Sequence, residues 1–194
     1  MDEEITIIDS KTRNEKIKNF LIKKKKILIS ILGFIIILIL SFYTYQMYKD
    51  NLRHNISDKY NAAVIQYNNG NQKSSILQMK EIVENRDSSY SPLALYFLID
   101  NKLIDNKNEV NEMFDVLIDK TSLQTEIKNL IIYKKALYNS DFINEDELLD
   151  ILRPIINSNS VWKSHALYLL AEYFFSKNEK QKSKEFFNKI ISLE

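Results

Sequence analysis

The longest apolar stretch of the chain covers residues 27–43, where only two serines and one glycine interrupt the aliphatic and aromatic side chains and no residue is charged. Extending it to Tyr48 gives about 20 residues, the length of helix that crosses the hydrocarbon core of a bilayer. Inside lipid such a helix satisfies its own backbone hydrogen bonds. The pattern therefore predicts one transmembrane helix over residues 27–48.

A buried core helix and a cleaved signal peptide are the alternatives to a membrane span. A buried core helix needs a large protein around it, and a cleaved signal peptide has a shorter apolar region followed by small residues. Here the bulky Phe42, Tyr43, Tyr45 and Tyr48 follow instead. Amphipathic rings of this kind suit the headgroup level of a membrane. We therefore predict an uncleaved signal-anchor.

The charges beside the apolar stretch predict its orientation. The four residues directly before it are Lys23, Lys24, Lys25 and Lys26. Lysines in this position stay on the cytoplasmic side and face anionic headgroups, and residues 49–58 on the other side are mixed in sign. The sequence thus predicts a short basic cytoplasmic leader, residues 1–26, and a domain outside the cytoplasm, residues 49–194. The leader is a plain tail or, through Ile5, Ile7, Ile8 and Ile17, a small docking helix.

Beyond the predicted span, from about Ser57, apolar residues recur at helical spacing in segments of roughly 12–18 residues. One such series is Ile76, Met79, Ile82 and Val83. Short polar stretches separate the segments; they lie at residues 68–71, 85–91, 105–108, 139–144, 157–160 and 176–179. The pattern predicts about eight helices in about four antiparallel pairs.

Glycine and proline mark some of the predicted helix ends. Gly70 predicts a C-terminal stop, and Pro92 is expected in the first turn of a helix, where its missing N–H costs nothing. Pro154 should end or kink the helix that begins near Glu145. The whole chain has only two glycines and two prolines. Because β folds use both residues in their turns, this scarcity favours an all-α fold.

An internal repeat relates the two ends of the domain. A shift of 108 positions aligns Ala63 with Ala171 and places similar side chains together on both sides of a turn. The aligned pairs are Tyr60 and Tyr168, Tyr67 and Phe175, Gly70 and Asn178, Ser75 and Ser183, Met79 and Phe187, and Ile82 and Ile190. Small residues are needed where two helices cross closely, and bulky ones fill the gap to the next pair. The register of the two middle pairs stays open.

This pattern resembles the tetratricopeptide (TPR) repeat, and a shift of 108 fits three repeats of about 34 residues with slightly longer loops. The predicted fold is therefore all-α, with one transmembrane helix and a TPR-like α-solenoid of about four helix pairs. A basic leader, one anchor and a small degenerate TPR domain together resemble the YfgM-like ancillary subunits of the Sec translocon in Gram-negative bacteria. The repeat domain of that family is related to the cell-division coordinator CpoB.

The resemblance covers nearly the whole chain, and residues 161–167 running into Ala171 and Glu172 look like the last repeat of that family. It implies a single-pass protein of the bacterial inner membrane with a periplasmic domain. The implied partners are Sec translocon components and periplasmic chaperones. The chain ends at Glu194, so the expected C-terminal cap is short or absent.

Charge and composition exclude several classes of protein. Residues 1–26 hold eight of the 27 basic side chains, so the remainder carries 19 basic against 21 acidic residues and is close to neutral. That balance argues against nucleic acid as a partner, because binding phosphates needs a basic stripe. The absence of cysteine excludes disulfides, thiolate nucleophiles and cysteine zinc sites.

The sequence offers little that predicts catalysis. His54 and His165 are the only histidines, and two isolated histidines do not make a catalytic zinc site. The acidic run at residues 145–147 fits the first turn of a helix, where negative charge complements the dipole. There is no glycine-rich phosphate loop and no nucleophile elbow. We expect no enzymatic activity, no metal, no cofactor and no small-molecule substrate.

The remaining function is protein binding. In TPR stacks the first helix of each pair lines a groove for a peptide or a helix. The residues that the alignment places there are Tyr60, Val64 and Tyr67 in the first repeat, and His165, Tyr168, Glu172 and Phe175 in the last. Aromatic groove residues are good anchors, but the same rings could equally be core. The sequence predicts a non-catalytic membrane-anchored adaptor assisting export at the Sec translocon or, alternatively, a self-associating envelope or cell-division scaffold.

Overall fold

A computed structural model describes residues 2–193 of the chain, with side chains described at residue 15 and from residue 18 onwards. Every regular element in this part of the chain is helical, so the fold class is all-α. A five-residue π-helical turn, Val116–Lys120, directly continues α4. The α-helices are α1 Asp2–Asn68, α2 Gln72–Glu84, α3 Tyr90–Asp100, α4 Lys107–Asp115, α5 Thr125–Asn139, α6 Glu145–Ile156, α7 Lys163–Ser176 and α8 Lys180–Ile191.

The first helix is much longer than its neighbours because nothing in its sequence stops it. Residues 2–68 contain no proline and a single glycine, Gly33, and one isolated glycine inside a helix costs only about 1 kcal/mol relative to alanine. The predicted leader and span are therefore parts of one continuous helix, α1. Its portion Lys18–Asn68 is long and apolar enough to cross a membrane, and the most apolar 18-residue window has a mean hydropathy of 2.7 and is not buried.

Packing divides the chain into two compact units, Met1–Leu52 and Arg53–Glu194. The side chains of Ile5, Ile7, Ile8 and Ile17, which raised the possibility of a docking helix, lie outside the described residues. The second unit contains the end of α1 together with α2 to α8.

The turns after α1 and α7 have the same hydrogen-bond pattern 108 residues apart. The Asn71 N–H donates to the Gln66 carbonyl at 2.9 Å, and the Glu179 N–H donates to the Phe174 carbonyl at 2.8 Å. These six-to-one bonds define Schellman caps, which need one left-handed residue. Gly70 fills that position in the first turn with φ +83°, and the second turn has a residue with φ +64° at the aligned position, Asn178.

The helix crossings next to these turns also match. Ala63 of α1 and Ser75 of α2 are fully buried, as is Ala171 of α7, and Ser183 of α8 is 2% exposed. Small side chains allow two helix backbones to approach closely. The first and last pairs therefore share a turn and a close crossing, as the internal alignment predicts.

Two hydrophobic clusters form the core of the second unit. The first contains Ala63, Met79 and Leu95 and is built by helices α1 to α4 with part of α5. The second contains Leu152, Leu170 and Phe174 and is built by α5 to α8. Ile118 in the π-helical turn packs against both clusters, so this turn lies where the two halves of the helical stack meet.

The boundaries in the middle of the chain differ most from the sequence pattern. No break was predicted between residues 108 and 139, but the helix there stops after Lys120 and α5 begins at Thr125. The buried Thr121 hydroxyl donates to the Val116 carbonyl at 3.1 Å, which occupies an acceptor at the helix end. Pro154 lies inside α6, which continues for two residues beyond it and ends at Ile156, directly before the predicted polar stretch at residues 157–160.

The close crossing of α1 and α2 predicts a sharp difference between two neighbouring alanines. Ala63→Leu puts three extra carbon atoms into a fully buried crossing and should lower the free energy of unfolding by about 1–3 kcal/mol. Ala62→Leu is the matched control, because Ala62 is exposed and its change should be near zero. Urea denaturation of the detergent-solubilised protein, followed by circular dichroism, measures both; equal effects would contradict this packing.

Candidate partner-binding surface

The predicted site residues of the last pair form one exposed stripe along α7. His165, Tyr168, Glu172 and Phe175 follow each other at intervals of three, four and three residues, which places them on a single helix face. All four are exposed; Tyr168 is 52% exposed and Phe175 61% exposed. The acidic Glu172 lies between Tyr168 and Phe175 and therefore separates the two exposed aromatic rings of the stripe.

Helix α8 widens this stripe into a face. The ring of Phe187 meets that of Tyr168 edge to face at 5.8 Å. Ile190 joins Ser164, His165 and Tyr168 around a shallow depression of about 270 Å³, and Ile191 is 69% exposed. We call the set Tyr168, Glu172, Phe175, Phe187, Ile190 and Ile191 the terminal face.

The predicted site residues of the first pair have a different environment. Tyr60 and Val64 pack against the first core cluster, and helix α3 covers this part of α1. The ring of Tyr60 lies 5.8 Å from that of Tyr90, and the ring of Tyr67 meets Phe97 edge to face at 5.2 Å. Burial raises the pKa of Tyr60 above its usual value.

Positions that the shift of 108 aligns are thus covered in the first helix pair and uncovered in the last. On α2, Val83 is fully buried, whereas the aligned Ile191 on α8 is 69% exposed. The sequence left open whether the groove aromatics are core or surface, and the structure places the two sets differently. Tyr60 and Tyr67 contact α3, while Tyr168 and Phe175 are open to solvent.

A second surface lies between α3 and α5 and was not predicted. It is a mainly apolar cleft of about 410 Å³, and its principal lining residues are Pro92, Leu93, Tyr96, Leu123, Ile127 and Leu130. Leu93 and Ile127 are 46% and 40% exposed, so the cleft presents apolar surface to solvent. Both walls come from the middle pairs, where the repeat register could not be assigned from the sequence.

Tyr96 gives this cleft an unusual polar atom. Its hydroxyl oxygen is buried and has no hydrogen-bond partner among the described residues. Burial, with a smaller contribution from the Asp100 carboxylate, raises the pKa of Tyr96 to about 12. A buried polar group without a partner costs free energy, so the hydroxyl destabilises the folded chain.

Neither histidine has the surroundings of a metal ligand. His165 lies beside Trp162, with ring centres 5.2 Å apart, and His54 is exposed. Among the side chains that the structure describes, at residue 15 and in residues 18–193, no group of three or more histidine, aspartate or glutamate residues is placed to hold a metal ion.

The acidic run at the start of α6 has structural partners. Asn144 and Glu147 form a capping box, and Glu145 accepts a hydrogen bond of 2.7 Å from Lys182 of α8. This bond, together with one from Lys182 to Glu179, raises the lysine's pKa. The run thus caps one helix and ties it to another.

The fold and these surfaces define an all-helical protein with one helix long and apolar enough to cross a membrane. Comparison of the chain with family models, curated proteins and solved structures gives no match.

The unpaired hydroxyl of Tyr96 predicts that Tyr96→Phe stabilises the protein, by about 1 kcal/mol at neutral pH. The gain should grow between about pH 10 and 12, because the unfolded chain loses the tyrosine proton at a lower pH than the folded one. Urea denaturation at about pH 7 and about pH 11 measures both effects. Tyr168→Phe is the control, since this ring is half exposed and should change little. A destabilised Tyr96→Phe variant would contradict the assignment.

Proposed function

We propose that this chain is a non-catalytic, membrane-anchored adaptor whose helical domain binds other proteins. The observation that carries the proposal is the terminal face, where the exposed ring of Tyr168 contacts Phe187 and the large apolar side chains of Phe175 and Ile191 are also exposed. Exposed apolar surface of this kind is typical of interaction sites. The domain belongs, in this proposal, to the TPR-like α-solenoids, supported by the matching turns and crossings of its first and last pairs.

The anchor in this proposal is the apolar part of α1, residues 27–48, as a single span of the bacterial inner membrane. Lys23 to Lys26 are exposed and precede the span, which supports a cytoplasmic N-terminus. The large unit then lies in the periplasm. Its nearly balanced charge suits a protein partner better than a nucleic acid.

The proposed place of action is the Sec translocon, with periplasmic chaperones as further partners. Support comes from the resemblance of the anchor and repeat organisation to the YfgM-like subunits. A surface of aromatic and aliphatic side chains on a rigid helix pair is suited to docking another folded protein, because few side chains lose freedom on binding.

A self-associating envelope or cell-division scaffold is the second candidate. One observation favours it: the exposed Ile191 and Phe175 on α7 and α8 could also pack against the same face of a second copy of the chain. Such a contact is isologous and closes as a dimer.

A photoreactive amino acid in place of Tyr168, introduced in intact cells, tests the adaptor proposal. We expect crosslinked products that contain a translocon component or a periplasmic chaperone, and that protease added to spheroplasts degrades. The control is the same amino acid in place of Leu77, an exposed residue of α2 away from the terminal face, which should not give those products.

The result also separates the candidates. Products that contain only a second copy of this chain would replace the adaptor with the scaffold. Recovery of no translocon component and no chaperone would refute the Sec assignment. Products protected from external protease would overturn the orientation.

A further inference from the structure

Helices α1 and α2 have a face whose residues align with the terminal face at the shift of 108. Helix α3 covers this face and is therefore a guide to what the terminal face binds. Three features are shared by the two faces: a Schellman turn with the same hydrogen bonds, a crossing of small residues, and an aromatic ring at two aligned positions of the first helix, Tyr60 with Tyr168 and Tyr67 with Phe175. A surface with the same turn, crossing and pair of rings is suited to a covering element of the same kind.

Helix α3 covers its site with two aromatic anchors on one face. Tyr90 and Phe97 are seven residues apart, with the fully buried Ala94 between them. The Tyr90 hydroxyl donates to Ser57 Oγ at 2.8 Å, and Phe97 contacts both Tyr60 and Tyr67. Tyr90, at the start of α3, contacts Ser57 and Tyr60, and Phe97, seven residues later, contacts Tyr67. Helix α3 therefore runs parallel to the end of α1.

We propose that the terminal face binds one amphipathic α-helix of a partner protein, seated on α7 and α8 as α3 is seated on α1 and α2. Its recognition face carries two aromatic residues seven positions apart, and a position between them meets Glu172. The inference rests on the proposed adaptor function and specifies what that adaptor recognises. Helices bound in grooves are read through anchors at such spacings.

Two exposed charged residues, Glu172 of the terminal face and Lys184 of α8, add a requirement that α3 does not meet. Val64, which packs against the first core cluster, is replaced at the aligned position by the exposed Glu172. Ile76 packs against the same cluster, and its aligned position holds the exposed Lys184. Within residues 18–193, neither Glu172 nor Lys184 takes part in an ion pair. The partner helix therefore carries a basic residue that meets Glu172 and an acidic one that meets Lys184.

A peptide with the sequence of residues 88–102 is a direct probe, because it contains α3 and its aromatic anchors. It carries a fluorophore and a short polyethylene glycol tail for solubility. Binding is followed by fluorescence anisotropy with the full chain reconstituted in lipid nanodiscs. The site on α1 and α2 is already filled by the chain's own α3, so the terminal face is the aligned site that remains open to the peptide. We expect saturable binding.

Matched variants locate the bound peptide. Phe175→Ser and Ile191→Ser remove exposed anchors and should each weaken binding at least tenfold. Leu77→Ser removes an apolar side chain that is 62% exposed on α2 and should leave the affinity unchanged. An equal loss of peptide affinity in all three variants would show non-specific hydrophobic binding and overturn the proposal.

A charge reversal tests the seating of the helix. Two further peptides replace Ala94 by lysine or by glutamate. Ala94 lies between the peptide's anchors, Tyr90 and Phe97, and Glu172 lies between Tyr168 and Phe175 on the terminal face. The lysine peptide should bind about two- to fivefold more tightly, the scale of an exposed ion pair. Glu172→Lys should reverse the order. Absence of any preference would contradict the seating.

The outcomes separate this inference from the function on which it rests. No peptide binding together with partner crosslinks at Tyr168 in cells would refute the helix as occupant and leave the adaptor in place. No peptide binding together with a homodimer that Ile191→Ser dissociates would identify a second copy as the occupant. Peptide binding without any cellular partner would support the recognition mode and refute the adaptor.

Discussion

A helix pair buries only the faces that its two helices turn towards each other, and its remaining apolar face must be covered by something else. This constraint organises the second unit. Helices α1 and α2 meet through Ala63 and Ser75, which leaves Val83 and Tyr67 on the outer face for α3 to cover. Helices α7 and α8 meet through Ala171 and Ser183 in the same way, and their outer face is exposed.

In the middle of the domain the apolar faces of the helices are covered in a less regular way. The π-helical turn lengthens the second half of the α3 and α4 pair, and Ile118 on that turn contacts both core clusters. A reciprocal pair of side-chain amide bonds, Asn111 with Asn139 at 2.9 and 2.8 Å, fixes α4 against α5. The α3 and α5 helices leave between them the apolar cleft that contains Tyr96. The irregular packing and the open apolar cleft therefore both involve α5.

Local signals decided how much of this could be predicted from sequence. Gly70 and the polar runs at 139–144 and 176–179 gave helix ends close to the observed ones, because glycine, asparagine and aspartate act through the backbone nearby. The stop after Lys120 was missed, since its residues contain no glycine or proline and Thr121 closes the turn through its own side chain. No breaker divides residues 57–68 from the segment before them, so the first helix of the domain is the end of the long helix α1.

The environments of the site residues depend on neighbours that are distant in sequence. Tyr60 and Tyr168 are the same residue type at aligned positions, and only the presence of α3 beside the first makes one packed and the other open. Charge gave a partial signal: Glu172 at a position where the first pair has valine already favoured an exposed stripe. The cleft between α3 and α5 had no such signal, because its walls come from the pairs that do not match the repeat.

Thiol accessibility at one aligned pair of positions tests the central claim most directly. The chain has no cysteine, so Val83→Cys and Ile191→Cys each introduce a single reporter at positions 108 residues apart. In the nanodisc-reconstituted protein, a maleimide should modify the Ile191→Cys variant about as fast as the urea-unfolded chain. The Val83→Cys variant should react at least about tenfold more slowly, because modification requires local opening. Equal rates at the two positions would contradict a covered first face and an open terminal face.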